Sequence, residues 1–87
     1  MRHAPQEFDG QELELVYIAR ALDEAKRMEQ VLDEAGFDYT IQVEQFRTGV
    51  IFASVRAGAF FYVLPEAAAR CRETLRQLRY QVQEPDE

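Results

Sequence analysis

The sequence predicts one α+β domain whose elements follow in the order strand, helix, strand, strand, helix, strand. Two observations predict this class. Short runs that are rich in β-branched and aromatic residues, or that alternate in polarity, are typical of strands. Two longer segments instead place apolar residues at helical spacing. The chain of 87 residues is long enough for one hydrophobic core and too short for two.

The first strand and the first helix are predicted from adjoining segments. Leu13–Ala19 is dominated by β-branched and aromatic residues and is too short for a helix. Apolar residues at spacings of four, three, four and three then predict one buried helical stripe, made of Ala21, Ala25, Met28, Leu32 and Ala35. Gly36 is expected to end this helix in the left-handed conformation, with Phe37 packed on Leu32.

The middle of the chain predicts two further strands. Asp38–Glu44 alternates between polar and apolar residues, which indicates a half-buried strand. Val50–Val55 and Phe60–Leu64 both have strand-like composition, and Ala57-Gly58 lies between them. The third strand is therefore either split into a hairpin at Ala57-Gly58 or is one long strand with a break at the glycine.

The C-terminal part predicts a second helix and a last strand. Pro65 suits the first turn of a helix, where its missing N–H is not needed, and the buried stripe comprises Ala67, Ala68, Cys71, Leu75 and Leu78. Tyr80–Gln83 is expected to be a short edge strand. Right-handed crossovers would place both helices on one face of an antiparallel sheet, which is the ferredoxin-like arrangement. This domain would span residues 12–83, between a loosely ordered arm at 1–11 and an acidic tail at 84–87.

Composition excludes several classes of protein. No apolar run approaches the ~20 residues that a membrane span requires, and the N-terminus lacks the apolar region of a secretory signal. With Cys71 as its one cysteine, the chain forms no internal disulfide, so we expect cytoplasmic residence. The formal net charge of −6 opposes binding to nucleic acids and anionic membranes.

We predict no enzymatic activity, no cofactor and no metal site. The only histidine, His3, falls in the arm that is expected to be loose. Cys71 falls on the buried stripe of the second helix, where it is expected to act as a small hydrophobic side chain. No phosphate-binding loop, dinucleotide-binding glycine motif or Cys/His metal spacing occurs. The catalytic asparagine of acylphosphatases is also absent, because the chain contains no Asn.

Three arginines on the second helix form a candidate site for an anion or an acidic partner. At 100° per residue, Arg72, Arg76 and Arg79 project within about 60° of one another. The ordinary alternative is a solvated flank whose methylene groups cover the rim of the core.

RNA binding is an alternative function, because the RNA-recognition motif has the same order of strands and helices. Val16–Ala19 resembles the start of its first-strand signature, and Arg56–Val63 resembles its third-strand signature. The first stacking aromatic of the third-strand signature falls on Gly58, however. Weak RNA binding therefore ranks below the other functions considered.

Three segments carry a resemblance to a known family: Ala19–Ala25, Glu29–Tyr39 and Tyr62–Cys71. They resemble the small bacterial family of prokaryotic signal-transducing proteins, whose fold is similar to that of PII-type nitrogen regulators. The resemblance spans about residues 13–79 and implies a ferredoxin-like fold without an established enzymatic activity. The chain departs from the family pattern at Val50–Phe61, which is longer and more apolar than a short polar connection would be. The nucleotide-binding loops of PII proteins have no counterpart in this sequence.

These observations favour a non-enzymatic interaction or regulatory module that acts through its sheet. Apolar residues occupy both faces of the predicted strands, although helices cover only one face. A homodimer would cover the other face, with contacts from Tyr17, Phe52, Phe60 and Tyr62. The alternatives are that the Val50–Leu64 segment folds back over its own sheet, or that the open face holds a small apolar or anionic ligand whose level the protein senses.

Overall fold

A computed structural model of the protein describes residues 1–8, 10–48 and 54–83. In chain order the elements are β1 (Arg2–His3), a 3₁₀ helix (Pro5–Phe8), β2 (Glu14–Ala19), α1 (Leu22–Ala35), β3 (Tyr39–Thr48), β4 (Ser54–Val63) and α2 (Pro65–Gln77). The predicted α+β class is confirmed, with a four-stranded sheet and two α-helices among the described residues. No helix in the described part of the chain is long and apolar enough to cross a membrane.

The sheet is mixed, so the prediction of a wholly antiparallel sheet is wrong at one edge. The strand order is β1-β3-β4-β2. β4 pairs antiparallel with both β2 and β3, as the prediction of an antiparallel sheet requires. β1 instead pairs parallel with β3, placing Arg2 beside Tyr39 and His3 beside Thr40. The N-terminal arm, which was expected to be loose, therefore contributes an edge strand.

The predicted last strand, Tyr80–Gln83, is not a strand in the structure. This segment still lies beside β2, because the backbone N–H of Gln83 donates to the carbonyl oxygen of Val16 at 2.8 Å. The structure therefore does not confirm the ferredoxin-like strand order, although the segment runs along the edge where that order would place a strand.

β4, which corresponds to the third predicted strand, is continuous. β4 runs without interruption through Ala57 and Gly58, which lie opposite Gln45 and Glu44 of β3. Neither of the two alternatives expected for this segment, a hairpin at Ala57-Gly58 or a break at the glycine, is present, because β3 is longer than expected and supplies pairing partners along all of β4. The predicted strand residues 50–53 lie outside the described part of the chain.

A β-bulge in β2 changes the expected faces of that strand. Leu15 lies opposite Tyr62 and Tyr17 lies opposite Phe61, so Val16 is the extra residue. Val16 and Tyr17 are both buried in the core as a result. The prediction that Leu15 and Tyr17 share one face is therefore wrong, because simple alternation fails across the bulge.

The core lies between the sheet and the two helices. The buried residues of α1 are Ala25, Met28 and Leu32, and those of α2 include Ala68, Cys71 and Leu75, which confirms both predicted stripes at their centres. They pack in one cluster with sheet residues that include Tyr17, Tyr39, Phe61 and Val63. Gly36 ends α1 at φ 81°, in the left-handed region that glycine favours, and Phe37 donates its N–H to the carbonyl of Leu32.

Truncation of one buried leucine in each helix tests this packing. Leu32 and Leu75 are both fully buried, so Leu32→Ala and Leu75→Ala should each lower the free energy of unfolding by about 2–5 kcal/mol. Leu78→Ala is the matched control, because Leu78 is 53% exposed and its loss should cost about 0.5 kcal/mol or less. Urea unfolding measures all three variants. Equal, small losses at the three positions would contradict the packing described.

Candidate functional site

The sheet face turned away from the helices carries a row of apolar side chains. Leu15 lies opposite Tyr62 and Ile18 lies opposite Phe60, so the four side chains come from the adjacent strands β2 and β4 and share one side of the sheet. Each is partly exposed. We name these four residues (Leu15, Ile18, Phe60 and Tyr62) the open face. The other side of the same strands presents Tyr17, Phe61 and Val63 to the helices.

Of the four predicted contact residues, the structure places two on the open face. Phe60 and Tyr62 belong to it, whereas Phe52 lies outside the described residues. The inclusion of Tyr17 is wrong, because the bulge turns this side chain into the core, where it is 5% exposed. Sequence reasoning missed Ile18 as a member, since its facing depends on a bulge that the residue types do not reveal.

The buried Tyr17 side chain ends in a polar contact. Its hydroxyl donates a hydrogen bond to a carboxylate oxygen of Glu24 on α1. Burial and the neighbouring Glu24 carboxylate raise the pKa of Tyr17 well above its usual range, because both disfavour the phenolate. Tyr17 therefore stays protonated at physiological pH and acts as a hydrogen-bond donor that joins β2 to α1.

The N-terminal arm covers the β3 side of the open face. Thr40 shares that side of the sheet with Tyr62 on β4 and with His3 on β1. The 3₁₀ helix follows β1 and contacts β3, and Phe8 at its end is buried and makes an edge-to-face contact with the His3 ring at 5.3 Å. Thr40 is fully buried as a result. Phe8 was the one sequence signal for this docking, as a large apolar residue in an otherwise polar segment.

Burial removes the Thr40 hydroxyl from water, and no hydrogen bond within the described residues replaces the lost contact with water. The Oγ1 atom has no hydrogen-bond partner among the described residues. An unsatisfied buried hydroxyl costs about 1–3 kcal/mol. The arm therefore covers the sheet at an energetic cost that a fully satisfied contact would not carry.

His3, which was expected to lie in a loose tail, has two carboxylate neighbours. Its Nδ1 atom is 3.2 Å from Oε2 of Glu7, and its Nε2 atom is 3.1 Å from Oδ1 of Asp38. The hydrogen bond from His3 lowers the pKa of Asp38, with a further contribution from the Met1 ammonium group. The arrangement ties β1 to the start of β3 through charged groups at the protein surface.

The predicted arginine stripe is not one surface. Arg72 is 8% exposed and holds three groups: Nε donates to the carbonyl of Gln83 at 2.8 Å, Nη2 to the carbonyl of Leu15 at 2.9 Å, and Nη1 to Oε1 of Glu14 at 2.9 Å. Arg76 and Arg79 are exposed, and Arg76 lies 3.6 Å from Glu73. Arg72 is therefore a structural clamp between α2, β2 and the C-terminal segment.

An apolar hollow lies on the other side of the sheet, beside the start of α1. It has a volume of about 260 Å³ and is lined mainly by Ala19, Ala21, Leu22, Ala25, Val43 and Ala59. Leu22 and Val43 are 73% and 76% exposed, so the apolar walls of the hollow are open to solvent at these two side chains. Arg20 is the one charged residue among the described residues that line it. Sequence analysis did not identify this hollow, because its walls come from three separate strands and a helix.

The described residues contain no group of three His, Cys, Asp or Glu side chains that could hold a metal ion. No protein family, curated protein or solved structure matches this chain.

Replacement of Arg72 tests the clamp. Arg72→Met should lower the free energy of unfolding by about 3 kcal/mol, the low end of the range for breaking a buried pair, because the Glu14 side chain is 35% exposed. Arg76→Met is the matched control on the same helix, since the Arg76 side chain is 45% exposed and should contribute less than about 1 kcal/mol. Thermal and urea unfolding measure both variants. Equal effects would rule out the clamp.

The reactivity of Cys71 tests the interior of α2. Cys71 is fully buried, and burial raises the pKa of its thiol to about 11, so the reactive thiolate is scarce at pH 8. The native protein should not react with an aromatic disulfide reagent within the time that the urea-unfolded chain needs for stoichiometric labelling. Rapid labelling of the native protein would show that the thiol is accessible.

Proposed function

We propose that the protein is a non-enzymatic interaction or regulatory module that forms a homodimer through its open face. The observation that carries this proposal is the in-register row of partly exposed apolar side chains on β2 and β4. A row of leucine, isoleucine, phenylalanine and tyrosine left to water is unfavourable, and patches of this kind commonly mark interaction surfaces.

A second copy of the chain is the occupant that this surface favours. Two apolar sheet faces pack about 10 Å apart with interdigitating side chains, and a two-fold axis brings each row against an identical row. β3 and β4 pair over ten residues. With the six residues of β2, the three strands cover roughly 420 Å² in projection at about 3.4 Å per residue and 4.8 Å between strands, about half of the ~800 Å² per partner of a stable interface, and protruding side chains add to this area.

The charge of the chain is compatible with this contact. The net charge is −6, but the four open-face side chains carry none of it. Long-range repulsion between two copies would therefore weaken at high salt without loss of the apolar contact.

We further propose that the domain is a ferredoxin-like fold with β1 added at one edge. The pairing of β2, β4 and β3 in that order, with residues 80–83 along the outer edge of β2, supports this assignment. Membership of the prokaryotic signal-transducing family rests on the sequence resemblance. Cytoplasmic residence rests on the single cysteine, Cys71.

RNA binding is less favoured by the geometry. In the RNA-recognition motif, an aromatic residue of the first strand stacks on a base, and the matching residue here is Tyr17. Tyr17 lies in the core and is not available for stacking. Phe60 alone remains at a stacking position.

A glutamate on the open face should abolish the dimer. The unmodified chain should elute with a dimer mass by size exclusion with light scattering at low micromolar concentration. Phe60→Glu should shift it to a monomer, because a carboxylate buried between two apolar rows would be unpaired. A monomer mass for the unmodified chain that does not change on tenfold concentration would contradict the proposal.

Val43→Glu is the matched control for this experiment. Val43 lies opposite Ala59, the neighbour of Phe60, but on the helix side of the sheet, and it is 76% exposed. The Val43→Glu substitution introduces the same charge close to Phe60 but on the other side of the sheet, so the dimer mass should persist. Far-UV circular dichroism of both variants confirms that each is folded.

The apolar hollow favours a second candidate function, the sensing of a small ligand. Its apolar walls and the single arginine would suit a small molecule with an apolar body and a carboxylate, held at the helix side of the sheet and not on the open face. Medium-chain carboxylates should then raise the unfolding temperature of the unmodified protein, and Ala59→Phe, which fills the hollow, should remove that effect. No shift at millimolar carboxylate would rule this candidate out.

A further inference from the structure

We infer that residues 1–8 form a strap that covers the β3 flank of the open face and detaches when His3 loses its proton. This inference rests on the proposed function, because the strap would regulate the surface through which two copies associate. Four features support it: the short pairing of the strap, the contacts of His3, the burial of Phe8 and the state of Thr40.

The strap is held by few backbone contacts. β1 pairs with β3 at only two positions, and the N–H of Tyr39 donates to the carbonyl of Met1 at 3.1 Å. The Met1 ammonium group also donates to the carbonyl of Phe37. A two-residue parallel strand is too short to be stable alone, so the side chains of the strap decide whether it stays in place.

The contacts of His3 supply a charge-dependent fastening. Both ring nitrogens lie within hydrogen-bond distance of carboxylate oxygens, at 3.2 Å from Glu7 and 3.1 Å from Asp38. Only the imidazolium form can donate from both nitrogens. A neutral ring would direct one lone pair at a carboxylate, which replaces an attraction by a repulsion.

The other charged groups around His3 come from the strap, from the start of β3 and from α1. Asp38 is ionised above about pH 5.5, because aspartates lose their proton well below that pH and His3 lowers the pKa of this carboxyl further. The Met1 ammonium lies 3.7 Å from Asp38 and 3.6 Å from Asp33, and Arg2 pairs with Glu29 of α1 at 3.4 Å. Imidazole and α-amino groups are the groups of proteins that ordinarily change charge between about pH 5 and 8, so the His3→Gln background distinguishes loss of the proton at His3 from loss of the proton at Met1. The protonated form of His3 favours attachment, and attachment weakens as the pH rises.

The buried hydroxyl of Thr40 lowers the stability of the state in which the strap is attached. Its buried Oγ1 atom has no partner among the described residues while the strap is in place. Detachment gives that hydroxyl access to water and uncovers the β3 side of Tyr62, which lies opposite Thr40. The surface available to a second copy is therefore larger when the strap is detached.

A single tryptophan on the strap tests the inference. The chain contains no tryptophan, so Phe8→Trp creates the only one. Quenching of its fluorescence by acrylamide should increase about twofold or more between pH 5.5 and 8.5. In the His3→Gln background quenching should be high at both values. In the Thr40→Val background, which removes the unpartnered hydroxyl at nearly constant shape, quenching should stay lower at pH 8.5.

The unmodified protein supplies a second readout. Its one histidine gives one set of imidazole proton signals, and their nuclear Overhauser contact with the Phe8 ring should be present at pH 5.5 and lost at pH 8.5. Persistence of this contact at pH 8.5, or quenching that does not change with pH, would overturn the inference.

Light scattering at both pH values, combined with the quenching measurement, tests the strap and the dimer as separate proposals. If the strap detaches with rising pH while the chain stays monomeric at both values, the strap is supported and the dimer is contradicted. If a Phe60-dependent dimer forms equally at both values while the quenching does not change, the dimer is supported and the strap is contradicted. If both proposals hold, the dimer dissociation constant should be lower at pH 8.5 than at pH 5.5.

Discussion

The extra residue at Val16 is the constraint on which the arrangement of this protein depends. The bulge separates Leu15 from Tyr17 by one step of register, so the carbonyl groups around it need partners from outside the β2–β4 ladder. Arg72 donates to the carbonyl of Leu15, and Gln83 donates to that of Val16. Arg72 also binds the carbonyl of Gln83, so a single guanidinium joins the bulge, α2 and the C-terminal segment.

The same bulge decides which side chains are available for recognition. It directs Tyr17 into the core, where its hydroxyl binds Glu24, and leaves Ile18 on the same side as Leu15. The open face is consequently an aliphatic pair beside an aromatic pair, with no acidic or basic side chain among the four. A surface of this composition suits apolar packing better than catalysis or base stacking, and this is why the proposal is an association module.

The N-terminal arm and the open face belong to one surface with two kinds of contact. The apolar row on β2 and β4 is continuous with Thr40 on β3, which the arm covers. Charged groups at the edge hold the arm, whereas apolar side chains form the row itself. Because pH and moderate ionic strength weaken charge contacts at a surface much more than apolar contacts, the two parts of this surface can respond separately to these conditions.

Local patterns determined the helices and the fold class of this protein. The spacing of Met28, Leu32 and Leu75, the proline at the start of α2 and the glycine after α1 each act within one or two turns of chain, so residue types alone predicted them. They also predicted that Phe60 and Tyr62 share one face of their strand and that Phe61 and Val63 share the other, because side chains alternate along a strand. Cys71 was placed correctly in the core because it falls on the apolar stripe of α2.

Only the tertiary structure decided the register, the edges and the partners of charged residues. The bulge at Val16 moved Tyr17, the parallel β1 turned an apparent tail into part of the sheet, and Arg72 changed from a surface cation into a buried clamp. Arg72 meets Glu14 across 58 positions of chain, and neither residue type indicates the other. Such contacts form only where separate segments are brought together, because their energy comes from burial and geometry that no local window of sequence contains.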